Sequence, residues 1–396
     1  MPCWRSRRTG EPSQRGARVN AWRRALLCAV AAGAWAPHAL AAGVVRKGTP
    51  ILLPRDFGSH EDFRTEWWYV TGWLFEADEA DRRAAANAVS SEPYGFQLTV
   101  FRTRTDLAAG NPSRFAARQL LFAHAALSDP VQRRLRHDQR IARAGFGIAE
   151  ASSRDTDLRL RDWSLRRVAT RSAADSGHHY LARADSPSQG FALDLRLDAT
   201  QPVLLQGDAG YSRKGPEPAQ ASHYLSEPQL AVSGSLRVDG RTRGVAGRAW
   251  LDHEWSEALL HPEAVGWDWV GMNLDDASAL TAFRLRRQDG SALWAGGSHR
   301  TAGGPPRAFA TDEVRFTPLA TWTSPATRAT YPVRWRIDTP AGSHEVRARL
   351  DAQELDTGGS TGNVYWEGLS DLHDSAGQRV GRGYLEMTGY AAPLRL

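Results

Sequence analysis

The chain repeats short segments in which apolar and charged residues alternate, and this pattern limits what it can fold into. Residues 158–161, 193–197, 333–337 and 346–350 each place apolar side chains on one face and charged ones, mostly arginine, on the other. Turn-forming pairs such as Asp239-Gly240 separate such segments. Because a period of two is that of strands, the pattern predicts an all-β protein of antiparallel sheets.

One short helix and a tandem arrangement are also predicted. The helix is expected over residues 129–144, where Pro130 suits a first turn. The run LTVFR at residues 98–102 recurs as LTAFR at residues 280–284, each after a tryptophan-rich strand. A hairpin insertion over residues 76–94 explains the longer spacing in the first copy. Two related β-barrels suit this pattern, because closure removes sheet edges and leaves an interior for an apolar ligand.

Residues 1–41 have the layout of a secretory signal. A basic stretch ends at Arg23-Arg24, an apolar stretch covers residues 25–36, and Ala39-Leu40-Ala41 supplies a small-residue cleavage site. The apolar stretch is too short to span a bilayer, which needs about 20 residues. We therefore expect cleavage after Ala41 and a periplasmic or secreted protein. The paired arginines also fit a twin-arginine signal, but they are common in basic leaders, so the general secretory route is favoured.

The leader accounts for the basic charge and for both cysteines. It holds seven arginines and one acid, so of the 50 basic and 44 acidic residues 43 of each remain, and Cys3 and Cys28 leave with it. The mature protein is neutral and has no thiol for a disulfide, a metal site or a nucleophile. Its arginines are balanced by acids along the strands, which argues against nucleic-acid binding. Twelve of the 15 tryptophans remain, as core fillers or as the lining of an aromatic interior.

A first cluster of candidate functional residues lies in residues 60–73. On a strand, Glu66 and Trp68 point to one side, whereas Trp67 and Tyr69 point to the other. Glu66 is therefore a candidate catalytic acid beside an indole inside a barrel, and the aromatic residues are candidate ligand contacts. The alternative is structural: the tryptophan closes the barrel floor and Glu66 pairs with an arginine.

A second cluster lies at residues 250–255. Trp250, Asp252 and Glu254 share one face of the expected strand, and His253 and Trp255 share the other. Two carboxylates two positions apart repel each other, which can raise one pKa and leave a neutral acid beside an ionised base. A solvated acidic edge is the alternative, which the nearby tryptophans disfavour.

Asp268 is a further candidate acid, and two familiar motifs are discounted. Asp268 lies between Trp267 and Trp269 and points away from both. The run HEWSE at residues 253–257 begins like a zinc-binding helix but lacks the second histidine, so no metal is predicted. The run GGSTG at residues 358–362 matches a serine nucleophile motif, but a strand-like segment follows it, so a turn is predicted. No cofactor is expected.

Several of these runs resemble the AttH/carotenoid 1,2-hydratase family of lipocalin-like secreted proteins. The matching runs are collinear: residues 62–72, 206–215, 222–228, 250–256, 266–269, 365–368 and 383–390. The resemblance implies two tandem lipocalin-like barrels, which we place at residues 42–225 and 226–396. It adds Tyr384 to the candidate ligand contacts, which are then Trp67, Trp68, Tyr69, His253, Trp255, Trp267, Trp269 and Tyr384. His253 departs from the arginine associated with that position in the AttH-like branch.

The resemblance implies a hydrophobic isoprenoid or lipid-type ligand. One branch of the family adds water across an isolated C=C bond of an acyclic carotenoid without a cofactor. In that hypothesis Asp252, Glu254 or Asp268 protonates the alkene, and the rings of Trp255 and Trp269 stabilise the carbocation. The alternative is a non-catalytic periplasmic lipid carrier that serves an ABC transporter, as other members resemble. Peripheral contact with a membrane is compatible with both.

Overall fold

The computed structural model describes residues 43–77, 92–106, 111–170, 177–258 and 260–394. The predicted leader and most of the predicted insertion lie outside these ranges, and the described residues belong to one compact unit. Within the described ranges the regular structure is β-strand, apart from two 3-10 turns at Arg55–Phe57 and Thr311–Glu313, so the all-β class is confirmed. A search of the same ranges finds no helix long and apolar enough to cross a membrane.

Thirteen of the described strands form a first antiparallel sheet: β1 (Thr65–Glu76), β2 (Tyr94–Arg104), β3 (Gln119–Asp129), β4 (Arg134–Arg143), β5 (Ala149–Ala151), β6 (Asp157–Leu160), β7 (Trp163–Ala169), β8 (His178–Ser186), β9 (Phe191–Asp198), β10 (Leu204–Leu205), β11 (Tyr211–Arg213), β12 (Ala221–Val238) and β13 (Arg241–Ser256). The main path runs β4-β3-β2-β1-β13-β12-β9-β8-β7-β6-β5, and β10 and β11 pair with β12. Because β6 lies against β3 and β4, the sheet curls into a nearly closed barrel.

Ten of the described strands form a second antiparallel sheet: β14 (Gly266–Leu274), β15 (Ala279–Arg286), β16 (Ala292–Arg300), β17 (Pro306–Phe309), β18 (Arg315–Thr323), β19 (Thr330–Thr339), β20 (Gly342–Ala348), β21 (Glu354–Asp356), β22 (Val364–His373) and β23 (Arg379–Met387). Its path runs β17-β16-β15-β14-β23-β22-β20-β19-β18, and β21 pairs with β22. The two repeated runs occupy equivalent strands, since Phe101 in β2 pairs with Trp67 in β1 and Phe283 in β15 pairs with Trp269 in β14.

Each sheet has its own apolar core, and a further cluster lies between the sheets. Trp68 belongs to the core of the first sheet and Trp335 to that of the second. The cluster between them is rich in aromatic side chains and joins Trp250 of β13 to Trp269 of β14 and Tyr384 of β23. Most of β1 and the second half of β13 are therefore buried on both faces, one towards their own barrel and one towards the second sheet.

The helix predicted over residues 129–144 is wrong, because these residues end β3, turn and form β4. Asp129 Oδ1 accepts hydrogen bonds of 3.0 Å from the backbone N–H groups of Val131 and Gln132. This arrangement caps a tight turn after Pro130, and the same residue types start a helix, so the sequence signal was ambiguous. The register of β4 along β3 then fixes the strand.

The predicted domain boundary between residues 225 and 226 falls within β12. The chain passes from the first sheet to the second between Ser256 and Gly266. The division into two domains stays a prediction, whereas the division into two sheets is a property of the fold.

Candidate active site

A cavity of about 300 Å³ lies between the two sheets. One wall is the outer face of β1, β2, β3 and β13, and the other is formed by β14, β15, β22 and β23. The aromatic side chains that line it are Trp67, Tyr69, Phe101, Phe122, Tyr224, Trp267, Trp269, Phe283 and Tyr365. An aromatic cavity was predicted, but inside a barrel. The first barrel is instead packed with apolar side chains, and the residues on its outside form the cavity.

Asp252 lies in this wall and is held by three donors. Its Oδ1 accepts hydrogen bonds from Ser226 Oγ at 2.5 Å and Trp250 Nε1 at 2.7 Å, and its Oδ2 accepts one from Tyr224 Oη at 2.8 Å. Burial raises the pKa of Asp252 to about 7, against the lowering effect of these hydrogen bonds, and the charge of Glu254 adds to the rise. This carboxyl group therefore exchanges its proton close to neutral pH.

Glu254 lies two positions further along β13 and forms an ion pair. Lys214 Nζ is 3.0 Å from its Oε1, and both side chains are buried. Ser222 Oγ donates a hydrogen bond to the same oxygen. The other oxygen, Oε2, accepts no hydrogen bond from the described residues, and the side chain lines the cavity. Lys214 also packs against the rings of Phe283 at 4.3 Å and Tyr224 at 4.6 Å, so the only described cation in the wall is fixed beside Glu254.

Two further carboxyl groups face the cavity from the second sheet, and sequence reasoning missed both. Glu367 in β22 and Glu386 in β23 are direct cross-strand partners. Burial and the neighbouring Glu386 raise the pKa of Glu367 well above its usual range. Burial also raises the pKa of Glu386 to about 8, with smaller contributions from the charges of Asp252 and Glu254. A lone acid within a run of apolar residues was the available signal in each strand.

The two glutamates differ in the hydrogen bonds that the protein gives them. Gln97 Nε2 donates a hydrogen bond of 2.6 Å to Glu367 Oε2, whereas Glu367 Oε1 is buried and has no partner among the described residues. Glu386 is partly accessible from the cavity, and within the described chain Trp267 is the one side chain whose hydrogen bonding lowers its pKa. Of the carboxyl groups that face the cavity, Glu386 is thus the one with the least hydrogen bonding from the described residues.

A histidine in the cavity wall does not activate a serine. Burial lowers the pKa of His124 to about 3, so the ring is neutral. Its Nε2 is 2.9 Å from Ser360 Oγ and its Nδ1 is 2.9 Å from Tyr365 Oη. Ser360 Oγ donates a hydrogen bond to Gln139 Oε1 at 2.6 Å, so the same oxygen accepts a hydrogen bond from His124 Nε2. Residues 358–362 form a turn between β21 and β22, as predicted, and not a nucleophile elbow.

Glu66 lies on the opposite face of β1, away from the cavity. Its Oε2 accepts a hydrogen bond of 2.8 Å from Arg102 Nε, and its Oε1 is 2.8 Å from His60 Nδ1 and 2.9 Å from His253 Nε2. Burial alone would raise the pKa of Glu66, but hydrogen bonds from the two histidines and the charge of Arg102 lower it. The alternative in which Glu66 pairs with an arginine is the one that the geometry shows.

This cluster is the one described group with the spacing of a metal site. His60, Glu66 and His253 offer ligand atoms within 4.8 Å of one another. Arg102 is fully buried against the same carboxylate, so its charge opposes a second cation there. His60 also stacks on Trp255 with ring centroids 3.8 Å apart, and His253 stacks on Trp68 at 4.5 Å. These contacts fit a charged network that closes one end of the barrel better than they fit a metal centre.

The remaining candidates divide between the cavity and its surroundings. Asp252, Glu254, Trp67, Tyr69, Trp267 and Trp269 line the cavity. Trp68, Trp255 and His253 surround Glu66 instead. Asp268 faces away, as expected, where Arg284 Nε binds its Oδ2 at 2.7 Å and Tyr390 Oη donates to its Oδ1 at 2.8 Å. Tyr384 is buried in the cluster between the sheets, beside Gly95.

The fold and the cavity together define an all-β protein of two packed antiparallel sheets with a small-molecule site between them. The chain belongs to the AttH-like family, which matches residues 44–390. It is similar to the crystal structure of a protein assigned as AttH from Nitrosomonas europaea, with 44% identity, a TM-score of 0.77 and coverage of 88% of this chain and 99% of that one. This result agrees with the family resemblance found in the sequence.

A more distant likeness concerns the fold alone. Kievitone hydratase from Nectria haematococca shares 14% identity with this chain, with a TM-score of 0.58 and coverage of 89% of this chain and 97% of that one. No curated protein sequence matches the chain.

Proposed function

We propose that this protein is a cofactor-free hydratase that adds water across a C=C bond of an apolar ligand in the cavity between the sheets. The observation that supports it most is the pairing of protonated and ionised carboxyl groups in an aromatic cavity. Glu386 reaches the cavity and keeps its proton to about pH 8, whereas Glu254 is fixed opposite Lys214 as an ion pair. A neutral acid beside a carboxylate is what acid–base catalysis at neutral pH needs.

Each residue then has one role in the reaction. Glu386 gives its proton to one alkene carbon, the π electron pair forms the new C–H bond, and the other carbon becomes a cation. The ring faces of Trp269 and Tyr69 line the cavity and stabilise that cation, by about 2 kcal/mol each when water is excluded. A water molecule attacks the cation and loses a proton to Glu254 Oε2. Transfer of a proton back to Glu386 restores the starting state.

The size of the cavity limits the ligand. A volume of about 300 Å³ is at the lower end of the range of small-molecule sites, about 300–1,000 Å³. The cavity therefore suits one end of an isoprenoid chain, with the rest of a longer ligand outside. A terminal alkene with two substituents on one carbon would give the tertiary cation that the mechanism favours.

The test is turnover of an acyclic carotenoid by the purified protein in water enriched in ¹⁸O. We expect a product heavier by one labelled water, and a rate that falls above about pH 8 as Glu386 loses its proton. Glu386→Gln should lower the rate at least about 100-fold, in line with the usual effect of a general acid. The matched control is Glu61→Gln, since Glu61 is exposed in the turn before β1 and does not line the cavity.

The alternative is a carrier that binds the same ligand without turnover. A carrier would bind carotenoid with unchanged affinity in Glu386→Gln and release it unaltered. Bound ligand without labelled product in the unsubstituted protein would therefore overturn the hydratase and favour the carrier. Association with an ABC transporter is part of this alternative and would be tested by co-purification with the transporter's membrane subunits.

Export to the periplasm or the exterior is a further part of the proposal. The basic, apolar and small-residue stretches of residues 1–41 support it. Mass spectrometry of the protein from fractionated cells should give an N-terminus at Ala42. A cytoplasmic protein that keeps Met1 would contradict export.

A further inference from the structure

One end of the first sheet presents aromatic residues to solvent. Phe115, just before β3, is 63% exposed, and Phe146, just after β4, is 45% exposed. Their rings stack with centroids 5.2 Å apart. Ile141 in β4 is 40% exposed, and Ile148, two positions after Phe146, is 44% exposed. Exposed apolar side chains are normally scattered singly, so a stacked pair with two isoleucines nearby indicates an interaction surface.

The backbone is strained where it presents one of these rings. Phe146 has a φ of 60°, between Gly145 at 98° and Gly147 at 69°. A bulky residue in this region costs about 1 kcal/mol or more. An exposed ring gives the fold little burial in return, so folding alone does not account for the position of Phe146.

Arginines without acidic partners surround the exposed rings. Arg143 lies over Phe146 at 4.6 Å and over Phe115 at 5.6 Å, and Arg114 lies over Phe146 at 5.6 Å. Neither of these arginines has an ion pair with a described residue, nor has Arg118 in the same loop. Acids in the neighbouring segments are already neutralised, since Asp106 pairs with Arg64 at 2.8 Å and Glu150 with Arg159 at 3.4 Å. The surface is therefore apolar at its centre and positive at its edge.

This surface is continuous with the cavity. Trp67, Phe101, Phe122 and Ile141 are direct partners across β1, β2, β3 and β4, so they form one row on the outer face of the sheet. The first three line the cavity, and the fourth is exposed. Arg143 follows Ile141 on the same face by two positions. An apolar path therefore runs from the cavity to the exposed rings.

We propose that this surface, made of Phe115, Phe146, Ile148, Arg114, Arg118 and Arg143, docks on an anionic phospholipid membrane. Aromatic and aliphatic side chains enter the boundary between headgroups and acyl chains, and the arginines, which have no acidic partner among the described residues, bind the phosphates. The row that ends at Ile141 then meets the membrane, so an apolar ligand can pass between bilayer and cavity without crossing water. Docking does not depend on the proposed hydration, and its test uses no substrate.

The test is binding of the full chain to vesicles of phosphatidylcholine with and without phosphatidylglycerol. We expect binding to the anionic vesicles only, weakened by salt because charge contributes to it. Arg114→Gln and Arg143→Gln should each weaken binding about fivefold, and the pair Phe115→Ser with Phe146→Ser at least about tenfold. The control is Val131→Ser, since Val131 is 79% exposed at the other end of β3 and β4.

Every variant carries the same basic leader, so a difference in binding between two variants reports the surface and not the leader. Five of the six side chains are exposed, Arg143 is half-buried, and none belongs to the core of the first sheet, so the variants should keep the thermal unfolding curve of the unsubstituted protein. Equal vesicle binding by Val131→Ser and by the double phenylalanine variant would overturn the proposal. So would failure of the unsubstituted chain to bind anionic vesicles, an outcome that would favour an acidic protein partner instead.

Discussion

Glu386 couples the stability of this protein to pH. Burial raises its pKa from 4.5 to about 8, so between these values the folded protein holds a proton that the unfolded chain releases. The free energy of unfolding must then fall as the pH rises through this window. Asp252 acts in the same direction between pH 3.8 and about 7. We expect a loss of a few kcal/mol between pH 5 and 8, since one unit of pKa shift corresponds to about 1.4 kcal/mol.

Urea unfolding at a series of pH values measures this effect. Glu386→Gln should flatten the slope of unfolding free energy against pH and make the protein more stable at pH 8. The exposed Glu61→Gln should leave the slope unchanged. An identical slope in Glu386→Gln and in the unsubstituted protein would show that the carboxyl group ionises in the folded state as readily as in water.

Arg102 is the residue on which the charged cluster around Glu66 depends. Removing one partner of a buried ion pair costs about 3–5 kcal/mol, because the other charge stays buried without compensation. Arg102→Met should therefore lower the free energy of unfolding by that amount, and adding Glu66→Gln should restore part of it. In contrast, Arg64→Met breaks an exposed pair with Asp106 and should cost less than about 1 kcal/mol. A small effect of Arg102→Met would mean that the histidines neutralise Glu66 unaided.

At the scale of single residues, alternation predicted the two faces of β13 correctly. Asp252 and Glu254 face the cavity, and His253 faces the other way, towards Glu66. Alternation could not predict which face meets which neighbour, because both faces of this strand are buried. Glu367 and Glu386 were missed for a related reason: their strands are buried on both sides, so alternation does not show which side faces a cavity.

At the scale of strands, β13 passes so close to β1 at one glycine that no side chain would fit between the two backbones. A Cβ at Gly247 would overlap the backbone carbonyl oxygen of Trp73 in β1. Gly247→Ala should therefore force the two strands apart and cost about 1–3 kcal/mol or more, as overpacking does. Gly244, three positions earlier in the same strand, has only the Ala77 Cβ at 3.5 Å, an ordinary contact.

The two glycines make a matched pair for thermal or urea unfolding. Gly244→Ala should stabilise the protein by about 0.5 kcal/mol, because it restricts the unfolded chain without strain. Opposite signs for the two variants are the expected result. Equal effects would mean that close approach of β1 and β13 does not govern their pairing.

The error at β4 shows what local sequence cannot decide. Residues 134–143 contain few apolar positions, so neither a helical nor a strand period is strong there. Pairing with β3 along ten positions, which is long-range information, makes this segment a strand. The strongly alternating segments were predicted correctly because one of their faces is dry and the other wet, as in β9.

Over the whole molecule, the sequence predicted two tandem barrels with an aromatic interior, whereas the aromatic cavity lies between two sheets. The tryptophans of β1 and β14 could line the inside of a barrel or cover the outside of a barrel that packs against a second sheet. Both environments are apolar, so the sequence fits both. The packing of one sheet against the other determines which of the two environments the tryptophans have, and no local sequence pattern predicts that packing. The site therefore exists only when both sheets are folded and in contact.

This dependence predicts that the two sheets unfold together. Gln229 in β12 and Asn273 in β14 join them, since the Gln229 N–H donates to Asn273 Oδ1 at 2.8 Å and Asn273 Nδ2 donates to the Ala249 carbonyl oxygen at 3.0 Å. Both side chains are buried, so Asn273→Ala leaves unpaired polar groups at a cost of about 1–3 kcal/mol each. Hydrogen exchange should then become faster in β8 and β9 as well as in β19 and β20. The exposed Asn111→Ala is the control and should change neither, whereas faster exchange in the second sheet alone would mean that the sheets are independently stable.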